Sequence, residues 1–267
     1  MFIRKVSVFL QATFHTQTVR KHMKQTFIIL INLLLLNSIS AQEFNKNIDK
    51  DSLFQIVTKD FHPEKIKELE KAYTEGNDAT KEFLLMMFSL PKSSKTKLVD
   101  NLKNNEDKIV NLSKEFSKLV SDSLIVYIEF VPENRILTMK AGVDLKIYTK
   151  TIDGKSKLIS KGRNIEYGSN SLNEKLKILN WDNATLHNVK KMLDEINCIS
   201  IENRKINIIG LARSGLGKYS YALYTESSKE YMEKEFEQGC NYILYKDHIP
   251  LNYERGAIGP ICFPDPK

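Results

Sequence analysis

The sequence predicts an α+β protein: a helical N-terminal layer followed by a mostly antiparallel sheet carrying two helices and one parallel β-α-β crossover. Two observations lead there. Apolar residues recur at helical spacing through residues 45–121, and from Leu124 onward they fall in short runs or alternate. A third, the chain order after Lys218, supplies the crossover.

Ahead of the helices stands the only long apolar run, Phe27 to Leu36. It has the length of a signal-peptide core and is too short to span a bilayer. Lys24 precedes it, with Arg20 and Lys21 upstream, and Ser38, Ser40 and Ala41 follow. Residues 1–41 therefore read as a cleavable export signal, with Met23 as an alternative start and Gln42 as the first mature residue. The expected location is secreted or periplasmic, with no membrane span after cleavage. The chain holds 40 Lys and Arg against 33 Asp and Glu, a net of +7. Arg4, Lys5, Arg20, Lys21 and Lys24 all lie in the leader, which has no acid, so the remainder is close to neutral. Nucleic-acid binding needs a concentrated basic footprint, and this class is excluded.

In region 42–121, Ile48, Leu53, Phe54, Ile56, Val57 and Phe61 mark a first helix. Pro63 opens a second, with Ile66, Leu69, Ala72 and Tyr73 as its stripe, and Gly76 stops it. Asn77 or Asp78 caps a third, whose all-apolar run Phe83 to Phe88 predicts the most buried helix. Ile109, Val110, Leu112, Phe116, Leu119 and Val120 mark a fourth.

Region 122–267 should pack with the helices as one unit. Strands are expected at Leu124 to Phe130 and Val143 to Tyr148. Asp153-Gly154 is a hairpin signal, and weaker strands follow at Lys157 to Ser160 and Asn164 to Tyr167. Residues 168–180 are polar and give no clear period. Asp182 or Asn183 caps a helix carrying Leu186, Val189, Met192, Leu193 and Ile196. Strands then run Cys198 to Glu202, Ile206 to Leu211 and Lys218 to Tyr224, the last two joined by a glycine-rich loop, Ala212 to Gly217. A charged helix, Ser228 to Glu237, leads to strands Cys240 to Tyr245 and Ile249 to Glu254. Chain direction then makes Cys240 to Tyr245 parallel to Lys218 to Tyr224 across a right-handed crossover. It places Cys198, Cys240, Arg213, Glu254 and Arg255 at the end of the sheet that holds the glycine-rich loop, and His248 and His187 toward the other end.

No catalytic motif stands out. Arg213-Ser-Gly-Leu-Gly-Lys218 departs from a phosphate-binding loop, because Ala212 replaces the first glycine, Tyr219 the final Ser or Thr, and a strand follows the lysine. His62, His187 and His248 lack metal-ligand spacing, and no metal or cofactor is expected. Asn111-Leu-Ser and Asn183-Ala-Thr match a glycosylation sequon short enough to arise by chance. Chain direction lets the tail return Cys262 to Cys240, so a Cys240–Cys262 disulfide is expected, with Cys198 the buried free thiol. Arg213, Lys218, Glu254 and Arg255 are the candidate ligand-binding residues. The reading is an exported, non-enzymatic binding or interaction protein whose partner is a protein or a small molecule. The alternative is an extracytoplasmic hydrolase with dispersed catalytic residues.

Overall fold

A computed structural model describes residues 43–150, 155–224, 240–245, 249–256 and 262–263. Residues 1–42, 151–154, 225–239, 246–248, 257–261 and 264–267 lie outside the described residues. So do the expected export signal, the Asp153-Gly154 turn, the helix Ser228 to Glu237 and His248. From Phe44 onward the chain is one compact unit.

Among the described residues three short helices come first: α1 (Lys50–Thr58), α2 (Pro63–Glu75) and α3 (Asp78–Phe88). Each start has a physical cause. Asp49 accepts from the Asp51 and Ser52 amides, Pro63 presets the first turn of α2, and Asn77 accepts from the Thr80 amide. Their apolar stripes meet in a small core of their own: Phe44, Phe54, Leu69, Tyr73 and Leu85. Phe54 stacks on Tyr73 with ring centres 4.3 Å apart. Of the run Phe83 to Phe88 only Leu85 is buried, and Phe83 is 36% exposed. The expectation that α3 is the most buried helix is corrected: three helices of this size have too little shared interior to enclose every side of one.

The long helix α4 (Lys95–Leu119), capped by Ser94 and kinked at Asn105, holds that place. Its Leu98, Leu102, Ile109, Leu112 and Phe116 enter the main core against the sheet. Helices α5 (Asn170–Ile178) and α6 (Asn183–Asp194) complete this layer. Residues 168–180, without a clear period in sequence, are thus mostly helix. Ser169 accepts from the Leu172 amide at the N-cap, and Leu172 and Leu176 supply a buried stripe.

One eight-stranded sheet lies against the layer: β1 (Leu124–Val131), β2 (Gly142–Lys150), β3 (Ser156–Glu166), β4 (Ser200–Glu202), β5 (Asn207–Ser214), β6 (Gly217–Leu223), β7 (Tyr242–Ile243) and β8 (Leu251–Glu254). Their order is β3-β2-β1-β4-β5-β6-β8-β7, and every neighbouring pair is antiparallel. The expected parallel β-α-β crossover is overturned. Strand β8 sits between β6 and β7, pairing Tyr221 with Leu251 on one side and Ile243 with Leu251 on the other. Chain direction fixes which way β7 points but cannot show that the next strand inserts beside β6. The two weak strands expected at 157–160 and 164–167 are one strand, β3, interrupted by two register shifts.

Alternation sorts the side chains onto two faces. Val126, Ile128, Phe130, Val143, Leu145, Ile147, Ile201, Ile209, Tyr219, Tyr221 and Leu251 belong to the core shared with the helices. Tyr127, Glu129, Ser200, Lys218, Ser220 and Asn252 occupy the opposite face and are also buried. No helix of the described residues is long and apolar enough to cross a membrane.

Candidate functional site

The β5–β6 connection is a tight turn, not the six-residue loop expected. Ser214 pairs with Gly217, and Gly215 takes a left-handed φ of +60° that glycine adopts without strain. Arg213 and Lys218 therefore stand directly opposite each other in the ladder, and Lys218 in turn opposes Glu254 on β8. Two cations facing across a strand pair repel. The chain offsets this with Glu129 from β1, which the sequence reading did not single out.

Glu129 is 3% exposed and accepts both arms of Arg213, Nε at 2.6 Å and a terminal nitrogen at 2.8 Å. Tyr127, two residues earlier on the same face, donates its hydroxyl to the same carboxylate. Lys218 Nζ lies 3.7 Å from Glu129 and 3.3 Å from Glu254. It also lies 3.3 Å from Tyr127 Oη and 3.3 Å from Ser200 Oγ. Glu254 accepts from Ser220 Oγ at 3.4 Å, and Asn252 donates to Ser220 Oγ at 3.0 Å. Gly210 makes the packing possible: a Cβ there would collide with Ser200 Oγ and reach 3.0 Å from Lys218 Cδ.

Glu129 and Glu254 thus meet two cations, and Asp144, opposite Glu129 on β2, acts on Arg213 as well. Burial by itself would hold the Glu129 proton, but the hydrogen bonds from Arg213, the Lys218 charge and the Tyr127 hydroxyl outweigh it, and its pKa falls below the usual carboxylate range. Arg213 is held the more firmly charged by Glu129, against the effect of its own burial. Burial and the adjacent Glu129 push the Tyr127 phenol far up, so it stays neutral. The three Nζ protons of Lys218 match three acceptors, Glu254, Tyr127 and Ser200. In the 3.3 Å contact with Ser200 the lysine is the donor and the hydroxyl the acceptor.

The structure brings Arg213, Lys218 and Glu254 together. Arg255 is exposed beside them and forms no ion pair among the described residues. The Arg213 and Glu254 side chains are 38% and 42% exposed, and Leu216 at the turn is 37% exposed, so the buried cluster surfaces as a charged rim. The rim is tied to the helices, because the Gly215 amide donates to the Pro91 carbonyl at 2.8 Å and Ser214 exchanges hydrogen bonds with the Ser93 backbone.

Cys240 and Cys262 are bonded, with Cα atoms 4.8 Å apart. The bridge seats Phe263, whose amide donates to the Cys240 carbonyl, against Tyr219 and Tyr253. Cys198 is a buried free thiol, and burial pushes its pKa far up, which leaves it a poor nucleophile. His62 caps α2 without a side-chain hydrogen bond. His187 lines a cavity of about 240 Å³ with Phe130 and Gly168, near the Val131 end of β1. That end pairs with the start of β2 and lies with the rim, so the expectation of a distant His187 is corrected: α6 does not run simply alongside the strand that follows it. Among the described residues no cluster of three His, Cys, Asp or Glu side chains could hold a metal ion.

This geometry defines a class only: a helix-layered antiparallel sheet with a disulfide and a buried, charge-balanced cluster. Comparison with protein-family models, curated proteins and solved structures found no match to the chain.

Proposed function

We propose that the chain is an exported, non-enzymatic binding protein of the cell envelope or extracellular space. Its contact surface is the rim of Arg213, Leu216, Glu254 and Arg255, with Lys218 as buried support. One observation carries the reading: the four charges of the cluster neutralise one another, so what reaches the surface is a rigid patterned rim and not a free acid, base or nucleophile. The leader run Phe27 to Leu36 and the Cys240–Cys262 bridge support export, since disulfides persist in oxidising compartments. The partner is a protein or small molecule with matching charge around an apolar spot.

The contact between Ser200 and Lys218 is the feature that would suit the alternative, a hydrolase. In that contact the lysine donates to the hydroxyl, which argues against it. A photo-crosslinking residue at Leu216, with one at the 62% exposed Ile56 as control, tests the reading in cells that make the protein. The expected result is a discrete adduct from Leu216 alone, lost with Arg255→Glu, on a protein whose intact mass begins at or near Gln42. Turnover of an ester, peptide or glycoside that disappears in a folded Glu129→Gln variant would replace the reading with the hydrolase.

A further inference from the structure

We propose that the β2–β3 ribbon docks on an anionic lipid surface, a role distinct from the rim and resting on different residues. Strand β3 is an edge of the sheet among the described residues. From Ser156 to Ile159 every side chain is exposed, so this end projects past the core with both faces bare. Leu158 and Ile159 are 42% and 44% exposed there.

Around them stand Lys157, Lys161 and Arg163, with Lys146, whose ammonium also lies 4.8 Å over the Tyr127 ring, and all four are exposed. Lys146 and Lys161 are directly opposite in the ladder, an arrangement that like charge disfavours. Nearby, Lys140 is matched by Glu166 at 3.2 Å, but none of the four has a carboxylate in ion-pair range among the described residues. Lysines alone on an edge strand guard against unwanted pairing. That purpose accounts for the cations and leaves two adjacent bare aliphatic side chains without a reason.

An added peptide strand would be one occupant. The β-bulges between Val143 and Leu145 and between Ile147 and Tyr148 break β3 into short registers and deny it a regular ladder. The surface therefore fits a partner that takes aliphatic side chains and cations without directional main-chain bonds. A bilayer with anionic headgroups does so: Leu158 and Ile159 enter the interfacial layer while the lysines sit at phosphate level.

The test is co-sedimentation of the processed protein with phosphatidylcholine vesicles, with and without phosphatidylglycerol, at low and high salt. The expected result is binding only to phosphatidylglycerol vesicles, weakened by salt. It should fall roughly tenfold or more in Lys157→Glu/Lys161→Glu and also in Leu158→Ser/Ile159→Ser. These positions are exposed, so both variants should keep the wild-type melting temperature, and Arg255→Glu should leave vesicle binding unchanged. Binding to soluble polyglutamate as tight as to the vesicles, and indifferent to Leu158→Ser/Ile159→Ser, would overturn the proposal in favour of an acidic polypeptide. Absence of vesicle binding by the wild type would overturn it outright.

Discussion

At the scale of single residues, Glu129 organises the molecule. Replacing it with Gln leaves Arg213 and Lys218 facing each other across the ladder, with Glu254 beside Lys218 and Asp144 acting on Arg213 from β2. Breaking a buried pair while leaving the partner charged is strongly destabilising, and the partial exposure of Arg213 moderates it, so Glu129→Gln should cost about 2–3 kcal/mol in a urea melt. The pH dependence follows from the direction of the shift. The folded pKa of Glu129 lies below its ordinary value of 4.5, so its contribution is fully present above that value and is lost as pH falls through the folded pKa. The stability gap between wild type and Glu129→Gln should therefore close as the solution is acidified below the ordinary value of 4.5 and through the lower folded pKa. Glu129 carried a signal in the sequence that went unread: a lone carboxylate inside the apolar run Leu124 to Phe130 has to find a buried partner.

At the scale of elements, the helical caps were legible because they are local. Asp182 accepts from the Thr185 amide and Asn77 from the Thr80 amide. Helix α5 was illegible because its apolar stripe is short and its cap, Ser169, sits in a polar stretch. Burial within α3 was also illegible, since it depends on how much interior its neighbours offer. Leu85→Ala, which empties a fully buried site, should cost about 3 kcal/mol. Phe83→Ala on the same helix should change stability by about 0.5 kcal/mol or less. In the β5–β6 hairpin the glycines separate two causes. Gly210→Ala should be destabilising by about 1–3 kcal/mol, because the new methyl meets Ser200 and Lys218. At Gly215 the space is open and only the positive φ matters, so Gly215→Asn should be nearly neutral, as Asn tolerates the left-handed region. Paired thermal melts check both comparisons.

At the scale of the whole molecule, chain direction alone brought Cys240, Arg213, Lys218 and Glu254 to one end of the sheet. It went wrong on which strand lies beside β6, because neighbours in a sheet are chosen by side-chain packing that no single segment encodes. The Cys240–Cys262 bridge closes a span of 22 residues and seats Phe263 on Tyr219 and Tyr253. Its removal in Cys240→Ser/Cys262→Ser should lower stability by about 3 kcal/mol in the chain-entropy treatment, with a further loss where Phe263 leaves its place. Reduction of the wild type with dithiothreitol should reproduce the shift and leave the double variant unaffected.

The ionisation state of one carboxyl group, that of Glu129, separates a structural anchor from a catalytic centre. If the cluster is a closed structural anchor beneath a binding rim, Glu129 is ionised throughout the neutral range; if it serves acid–base catalysis, its pKa is raised toward neutrality. A carbon-detected magnetic resonance titration of the Glu129 side-chain carboxyl, assigned by loss of its signal in Glu129→Gln, measures this. The expected result is a resonance that does not move until the pH falls below the ordinary glutamate value of 4.5. A midpoint above pH 5.5, about one unit or more over the ordinary range, would contradict the account.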